Sequence, residues 1–314
     1  MTIEAKVILD GINEQGNRIT TFQCRYPKFI HGEAKTHRIQ NLNSVLYEET
    51  LDYGFMDDNN LSRNASSSRA IPVERIIADI RRDPAMPVFW GSNKPGMQAG
   101  DELNEVDKEM CKTLWLAARD ECIFRAEFMI KNGLHKQIAN RILEPWCHIN
   151  VVVTATEYQN FFTLRRHKDA QPEAKALADA MWEAREASSP RLYLPGDWYL
   201  PYITEEDHTV AYKRATENLT ISGDNVVDLL RKVSVARCAR VSYLTHDGRQ
   251  TSVEEDLELF ERLVGAQPLH ASPAEHQATP DHWNLGMFNS PELHGNFTGW
   301  IQYRKTLPGE FVEG

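Results

Sequence analysis

Arg141-Ile142-Leu143-Glu144-Pro145, then Ile149-Asn150-Val151-Val152-Val153-Thr154-Ala155, then Tyr158-Gln159-Asn160-Phe161-Phe162-Thr163-Leu164-Arg165 form one continuous passage of the chain. The middle piece is nearly all β-branched and reads as a buried strand. Before it, Leu134–Leu143 has helical spacing and stops at Pro145. After it, Thr156-x-x-Gln159 predicts a capping box opening a helix through Arg165. Gln171-Pro172-Glu173 opens another helix to about Ala187, with Ala174, Leu177, Ala178 and Met181 inward.

Working towards the amino terminus, residues 4–24 read as a strand pair with a polar turn at Asn13–Asn17. Tyr26-Pro27-Lys28-Phe29-Ile30-His31 predicts a helix running to Arg38, with Pro27 in its first turn. Residues 39–61 are acidic and irregular and read as an inserted loop, with a short helix at Val45–Leu51. Pro72–Arg82 has helical spacing, and the Pro- and Gly-rich residues 83–102 read as a structured loop. A long helix is expected over about 101–132. Its stripe of Leu103, Val106, Met110, Leu114, Ala117, Ala118 and Phe128 reads as core, with Lys131 and Gly133 closing it.

Towards the carboxyl terminus, residues 188–235 read as a loop-rich connecting arm with one helix near Val226–Val233. Val235–Tyr243 reads as a short buried segment and Val253–Val264 as a helix. Residues 266–296 are irregular, and Phe297–Leu307 closes the chain as a helix. The expected organisation is one catalytic domain over 1–314, carrying the inserted loop 39–61 and the arm 188–235.

At 314 residues the chain can bury a full core. A net charge of −10 disfavours a protein that coats nucleic acid, since phosphate contacts need basic surface. Five scattered cysteines with no Cys-x-x-Cys suggest a reducing compartment and no structural zinc. No apolar run approaches a membrane span and the start has no signal-peptide pattern, so a soluble cytoplasmic protein is expected.

Ser62-Arg63-Asn64-Ala65-Ser66-Ser67-Ser68-Arg69, with Thr36-His37-Arg38 upstream, alternates hydroxyls and guanidiniums. Arg forks match phosphate oxygens, and short Ser side chains let backbone N–H groups approach an anion. A solvated loop or a helix cap with spare serines is the competing reading. Two histidines, His270 and His276, invite a metal pair, but no third ligand has suitable spacing. Pro145-Trp146-Cys147-His148 places a thiol that could act as a nucleophile if a cation lowered its pKa; a small buried core residue is the better reading.

These motifs carry a resemblance. The passage from Arg141 to Glu173 is similar to the flavin-dependent thymidylate synthases in its order: Arg-Ile-x-x-Pro, strand, Asn-Phe-x-x-Leu-Arg, Ala-Gln-x-Glu. His37-Arg38 and Ser62, Asn64, Ser67 and Arg69 resemble the two parts of that family's signature. Thr36 stands for its first Arg, Ala65 for its Glu, and residues 39–61 where two residues are expected. Ala239-Arg240-Val241-Ser242 and His270-Ala271-Ser272-Pro273-Ala274-Glu275-His276 resemble the family's amino-terminal part, yet lie near the carboxyl end. The chain therefore reads as a circular permutation of the family order, which closely spaced domain termini permit.

The resemblance implies an α+β fold whose central, mostly antiparallel or mixed sheet is flanked by long helices. It implies one-carbon transfer from methylenetetrahydrofolate to C5 of dUMP, giving dTMP, with FAD as cofactor and NADPH as reductant. It further implies a homotetramer whose sites are shared between subunits. By the same resemblance, Arg165 and Ser67 belong to the catalytic set. Ser67, Ser68, Arg69, Arg141 and Arg165 hold the nucleotide, and His37, Arg38, Asn64, Asn160, His270, Ser272 and Glu275 hold FAD. Glu33 and Thr36 stand where the family has a nucleotide-binding Gln and Arg, and Gln302 and Arg304 of Trp300–Lys305 are expected to replace them. A family His falls on Asp169, and an Asn and an Arg fall on Thr154 and Thr156. Arg165 would stabilise charge on the ring while the cofactor supplies the hydride. The departures leave open a hydroxymethylated product, a dCMP substrate, or a non-catalytic nucleotide-binding protein.

Overall fold

The computed structural model describes residues 3–32, 62–217, 226–241, 251–265 and 269–310. Two strands, β1 (Glu4–Ile12) and β2 (Arg18–Pro27), form the expected hairpin. Tyr26 and Pro27 end β2 instead of opening a helix, and a 3-10 turn at Lys28–Ile30 follows. The expected continuation to Arg38 and the short helix at 45–51 lie outside the described residues. The chain returns as β3 (Ser62–Ala65), α1 (Val73–Arg82) and the long α2 (Glu105–Lys131). The Asn104 side chain caps α2 by accepting from Asp107 N.

The next helix is shorter than its spacing suggests. α3 covers Lys136–Ala139 and passes into a 3-10 helix, Asn140–Trp146, that contains Pro145. Pro145 lacks the N–H that an α-turn would need there. The buried strand β4 (His148–Ala155) follows, then α4 (Gln159–Arg165) and α5 (Pro172–Glu186). The Gln171 side chain caps α5 by accepting from Ala174 N. The capping box at α4 is not formed: its cap is Tyr158, and Thr156 Oγ1 instead accepts from Thr298 N at 3.0 Å.

After β5 (Arg191–Leu192), the expected arm contains a complete helix, α6 (Glu205–Glu217). α7 (Val226–Arg240) absorbs the short buried segment expected at 235, and α8 (Val253–Leu263) follows. Buried Arg237 pairs with Asp207 at 2.6 Å and Asp256 at 2.9 Å, and Arg240 with Asp256 at 2.7 Å. These pairs fasten α6, α7 and α8 together. Short strands β6 (Ala278–Pro280), β7 (Trp283–Asn284), β8 (Met287–Phe288) and β9 (Trp300–Gln302) complete the described chain. The helix expected over Phe297–Leu307 is absent; β9 pairs antiparallel with β6 and a 3-10 turn at Tyr303–Thr306 follows.

The five-stranded sheet has the order β3-β4-β2-β1-β5. It is antiparallel except between β1 and β5, so it is mixed and mostly antiparallel, within an α+β architecture. Its faces differ in chemistry. Phe22, Cys24, Tyr26, Ile149, Val151 and Ala155 pack against Tyr158, Phe161 and Phe162 around α4, and Leu177, Ala178 and Met181 of α5. The other face shows Thr21, Gln23, Asn64 and Thr154, covered by Tyr199, Tyr202 and the 270–278 segment, against which α7 packs.

Candidate active site

The signature segment leaves β3 and turns at the His148 end of β4. Ser66 N donates to Asn150 O at 2.9 Å, and Asn150 N donates back to Ser66 Oγ at 3.1 Å. The wholly buried Asn140 donates through Nδ2 to Ser68 O (2.7 Å) and Ile71 O (3.0 Å). Lys136 Nζ donates to Ala70 O at 2.8 Å. The serine-rich loop is thus held through the carbonyls of Ser68, Ala70 and Ile71 and through the Ser66 hydroxyl.

Glu144 gathers this end of the sheet. Its Oε1 accepts from Lys28 Nζ and Ser68 Oγ, both at 2.6 Å, and from Arg141 Nη1 at 3.0 Å. Burial raises the affinity of this carboxyl for a proton, but the Lys28 and Ser68 hydrogen bonds outweigh it and hold Glu144 below its ordinary range. Arg141 and Arg69 stay exposed, Ser67 is half-buried, and Arg69 N donates to Ser67 Oγ at 3.4 Å. Ser67, Ser68, Arg69 and Arg141 therefore share one rim, with guanidiniums outward and hydroxyls inward. That rim is suited to an anion.

A second group lies on the polar face. The 3-10 turn Ser272–Glu275 packs against β3. Buried His276 contacts Thr154 Oγ1 through Nδ1 at 2.8 Å, Thr154 contacts Thr21 Oγ1 at 2.8 Å, and Tyr199 OH donates to Thr21 Oγ1 at 2.9 Å. Burial pushes His276 down to about 3, so the ring is neutral. Among the described residues, the buried polar atoms on this face that have no hydrogen-bond partner include Asn64 Nδ2 and His276 Nε2. Burial raises the Glu275 carboxyl, an effect that its Arg304 partner only partly offsets. Arg304 is ion-paired to Glu275 and Glu310, and buried Gln302 donates to Glu275 O and Asn296 Oδ1. Gln302 and Arg304 thus border the Glu275 turn, but from a strand and a 3-10 turn. His270 is exposed at its edge, with its N–H bonded to Leu263 O.

The third group is on the opposite face. Asn160 and Arg165 belong to α4 and are half-buried. Within one protomer the sheet separates them from Ser272, Glu275 and Asn64. His37, Arg38, Glu33 and Thr36 lie outside the described residues. Asp169 is exposed, and Thr154 and Thr156 are buried and used to anchor residues 276 and 298. Cys147 does not have the environment of a nucleophile: its thiol donates to Leu143 O at 3.3 Å, and burial pushes it up to about 12.

Sequence reasoning missed Lys28, Asn140 and Glu144 as parts of the site. Glu144 had a signal, a carboxylate inside an Arg-x-x-Glu turn beside a serine-rich loop. Lys28 and Asn140 had none, since their partners are distant in the chain.

The profile of the family described as thymidylate synthase complementing protein matches residues 19–191, just over half of the chain. A search of curated proteins found no match. Among solved structures, the chain is similar to a UMP/dUMP methylase PolB from Streptomyces cacaoi bound with 5-Br dUMP. That similarity is at 14% identity and a TM-score of 0.40, covering 59% of this chain and 90% of the other. The matched span contains β2 to β5 with the serine-rich loop, Arg141 and Arg165, and the chain belongs to the thymidylate synthase complementing protein family, as an enzyme of thymidylate synthase-like type.

Proposed function

We propose that the protein transfers a one-carbon unit from methylenetetrahydrofolate to C5 of dUMP, giving dTMP, with bound FAD and with NADPH as reductant. The observation that carries this reading is the Glu144 junction, which ties the serine-rich loop and Arg141 to one carboxylate within the family-matched span. Ser67, Ser68, Arg69 and Arg141 would bind the phosphate and so orient the base. Arg165 would stabilise negative charge developing on the pyrimidine. Asn64, Asn160, His270, Ser272 and Glu275, with His37 and Arg38, would hold FAD. The unpartnered Asn64 Nδ2 and His276 Nε2 fit that assignment, because a flavin offers ring donors and acceptors to buried polar groups. When bound, FAD would supply the hydride chemistry.

Asn160 and Arg165 are on one face of the sheet and Ser272 and Glu275 on the other, which supports sites completed by a second copy within a homotetramer. The permuted order is proposed on similar grounds. His276, at the end of the 235–276 block, is linked through Thr154 to Thr21, close to where the family-matched block begins at Ile19.

The test is direct. Purified protein with FAD, NADPH, methylenetetrahydrofolate and dUMP should show flavin absorption and yield dTMP by mass spectrometry. A colourless protein that stays colourless after FAD is added, with no product, would overturn the reading. A second reading, a hydroxymethylated pyrimidine or a dCMP substrate, is favoured by the use of Thr154 and Thr156 as internal anchors at positions where the family has an Asn and an Arg. A dTMP-only product, with dCMP untouched, would remove it.

A further inference from the structure

Helix α2 is 27 residues long, about 40 Å, yet only Ile123 and Ala126 on it are buried. The apolar stripe expected to be core is largely open: Val106 is 78% exposed, Leu114 61% and Phe124 62%, with Met110 and Phe128 alongside. Ordinary surface helices do not carry two exposed phenylalanines on one line. Met110, Leu114, Ala117, Glu121, Phe124 and Phe128 recur at steps of four, three, four, three and four, the seam of a coiled coil. The opposite side of the helix is already engaged: Trp115 lies against Trp146, and Ile123 and Ala126 join the cluster of Ile76 and Leu143.

We infer that α2 pairs antiparallel with α2 of a second copy of this chain, about a two-fold axis level with Arg119. This rests on the oligomeric reading above and names the surface that it uses. The register is set by the seam itself. With the axis at Arg119, Met110 meets Phe128 of the second copy, Leu114 meets its Phe124, and Ala117 meets its Glu121. Each large side chain faces another large one. The small Ala117 faces Glu121, whose carboxylate keeps Arg125 as an intrahelical partner at 2.7 Å. The same register brings exposed Asp107 to exposed Lys131 at both ends of the seam, so opposite charges close it. A parallel pairing would stack Asp107 on Asp107 and Lys131 on Lys131, and the antiparallel one also opposes the helix dipoles favourably.

Light scattering after gel filtration tests this on the full chain. Leu114→Glu/Phe124→Glu should halve the molar mass of the assembly while leaving the circular dichroism spectrum intact. Asp107→Lys places two like charges at each end and should weaken self-association about tenfold. Asp107→Lys/Lys131→Asp should restore it, which only the antiparallel register predicts. A parent protein that is monomeric at micromolar concentration, or a double-Glu variant of unchanged mass, would overturn the seam. A protein that makes dTMP while its mass ignores these variants loses the seam and keeps the function. One that pairs through α2 and converts no nucleotide keeps the seam and loses the function.

Discussion

Thr21 and Phe22 are neighbours on β2 and face opposite sides of the same sheet. Phe22 is wholly buried, with its ring edge-on to Tyr158 at 5.2 Å, inside the apolar layer formed with α4 and α5. Thr21 is equally buried but sits in a chain of hydroxyls and imidazole running from Tyr199 through Thr154 to His276. Burial is the same and the physical role differs. The apolar face gains from any close-packed hydrocarbon, whereas the polar face gains only when each donor finds its acceptor. The apolar layer joins β2 to β4 and to the two helices that follow β4 directly in the chain. The polar layer recruits residues 199–202 and 270–278, so direction-dependent bonds select which distant segment docks.

Breaking the apolar side should have the largest effect. Phe22→Ala leaves a cavity against Tyr158 and should cost about 3–5 kcal/mol in urea unfolding. Thr154→Val keeps the shape but leaves His276 without its Nδ1 partner, and should cost about 1–3 kcal/mol. If Thr154→Val proved as costly as Phe22→Ala, the distinction between the faces would fail.

Glu144 sharpens the comparison at the rim, where charge replaces both devices. Its carboxyl titrates lower in the folded chain than in the unfolded one. Its stabilisation is therefore present above the unfolded value of about 4.3 and lost as pH falls through the lower folded value. The side chain is 24% exposed, so Glu144→Gln should lower stability at neutral pH by only about 1 kcal/mol. That difference from the parent should shrink towards zero in melts carried well below the ordinary carboxylate range, once both states are protonated. The smallest expected effect is at Cys147. Cys147→Ser should leave turnover within about twofold of the parent, and the parent thiol should alkylate slowly at neutral pH. Loss of turnover in Cys147→Ser would return the thiol to the mechanism.

Much of the frame was legible in sequence because its signals are local. β4 announced itself by β-branched residues, α5 by Gln171-Pro172 and its inward stripe, and α8 by its spacing. The errors arose where a pattern was right and its partner was unknown. The α2 stripe has helical periodicity, but periodicity does not say whether the partner is this chain's own core or another copy. Thr156-x-x-Gln159 matched a capping box, but the Thr156 hydroxyl found Thr298 N instead. The carboxyl-terminal helix became β9 because β6 was available as a strand partner.

For the site, the residue types were readable and their grouping was not. Serines, arginines and an asparagine in family order pointed to the thymidylate synthase complementing protein family. Only tertiary structure brought Ser68 and Lys28 to the local Arg141–Glu144 pair, buried Thr154 against His276, and put Arg165 and Glu275 on opposite faces. The reason is physical. Periodicity, capping and β-branching act over a few residues and are written along the chain. Hydrogen bonds and ion pairs between distant residues depend on which surfaces meet once the backbone has folded.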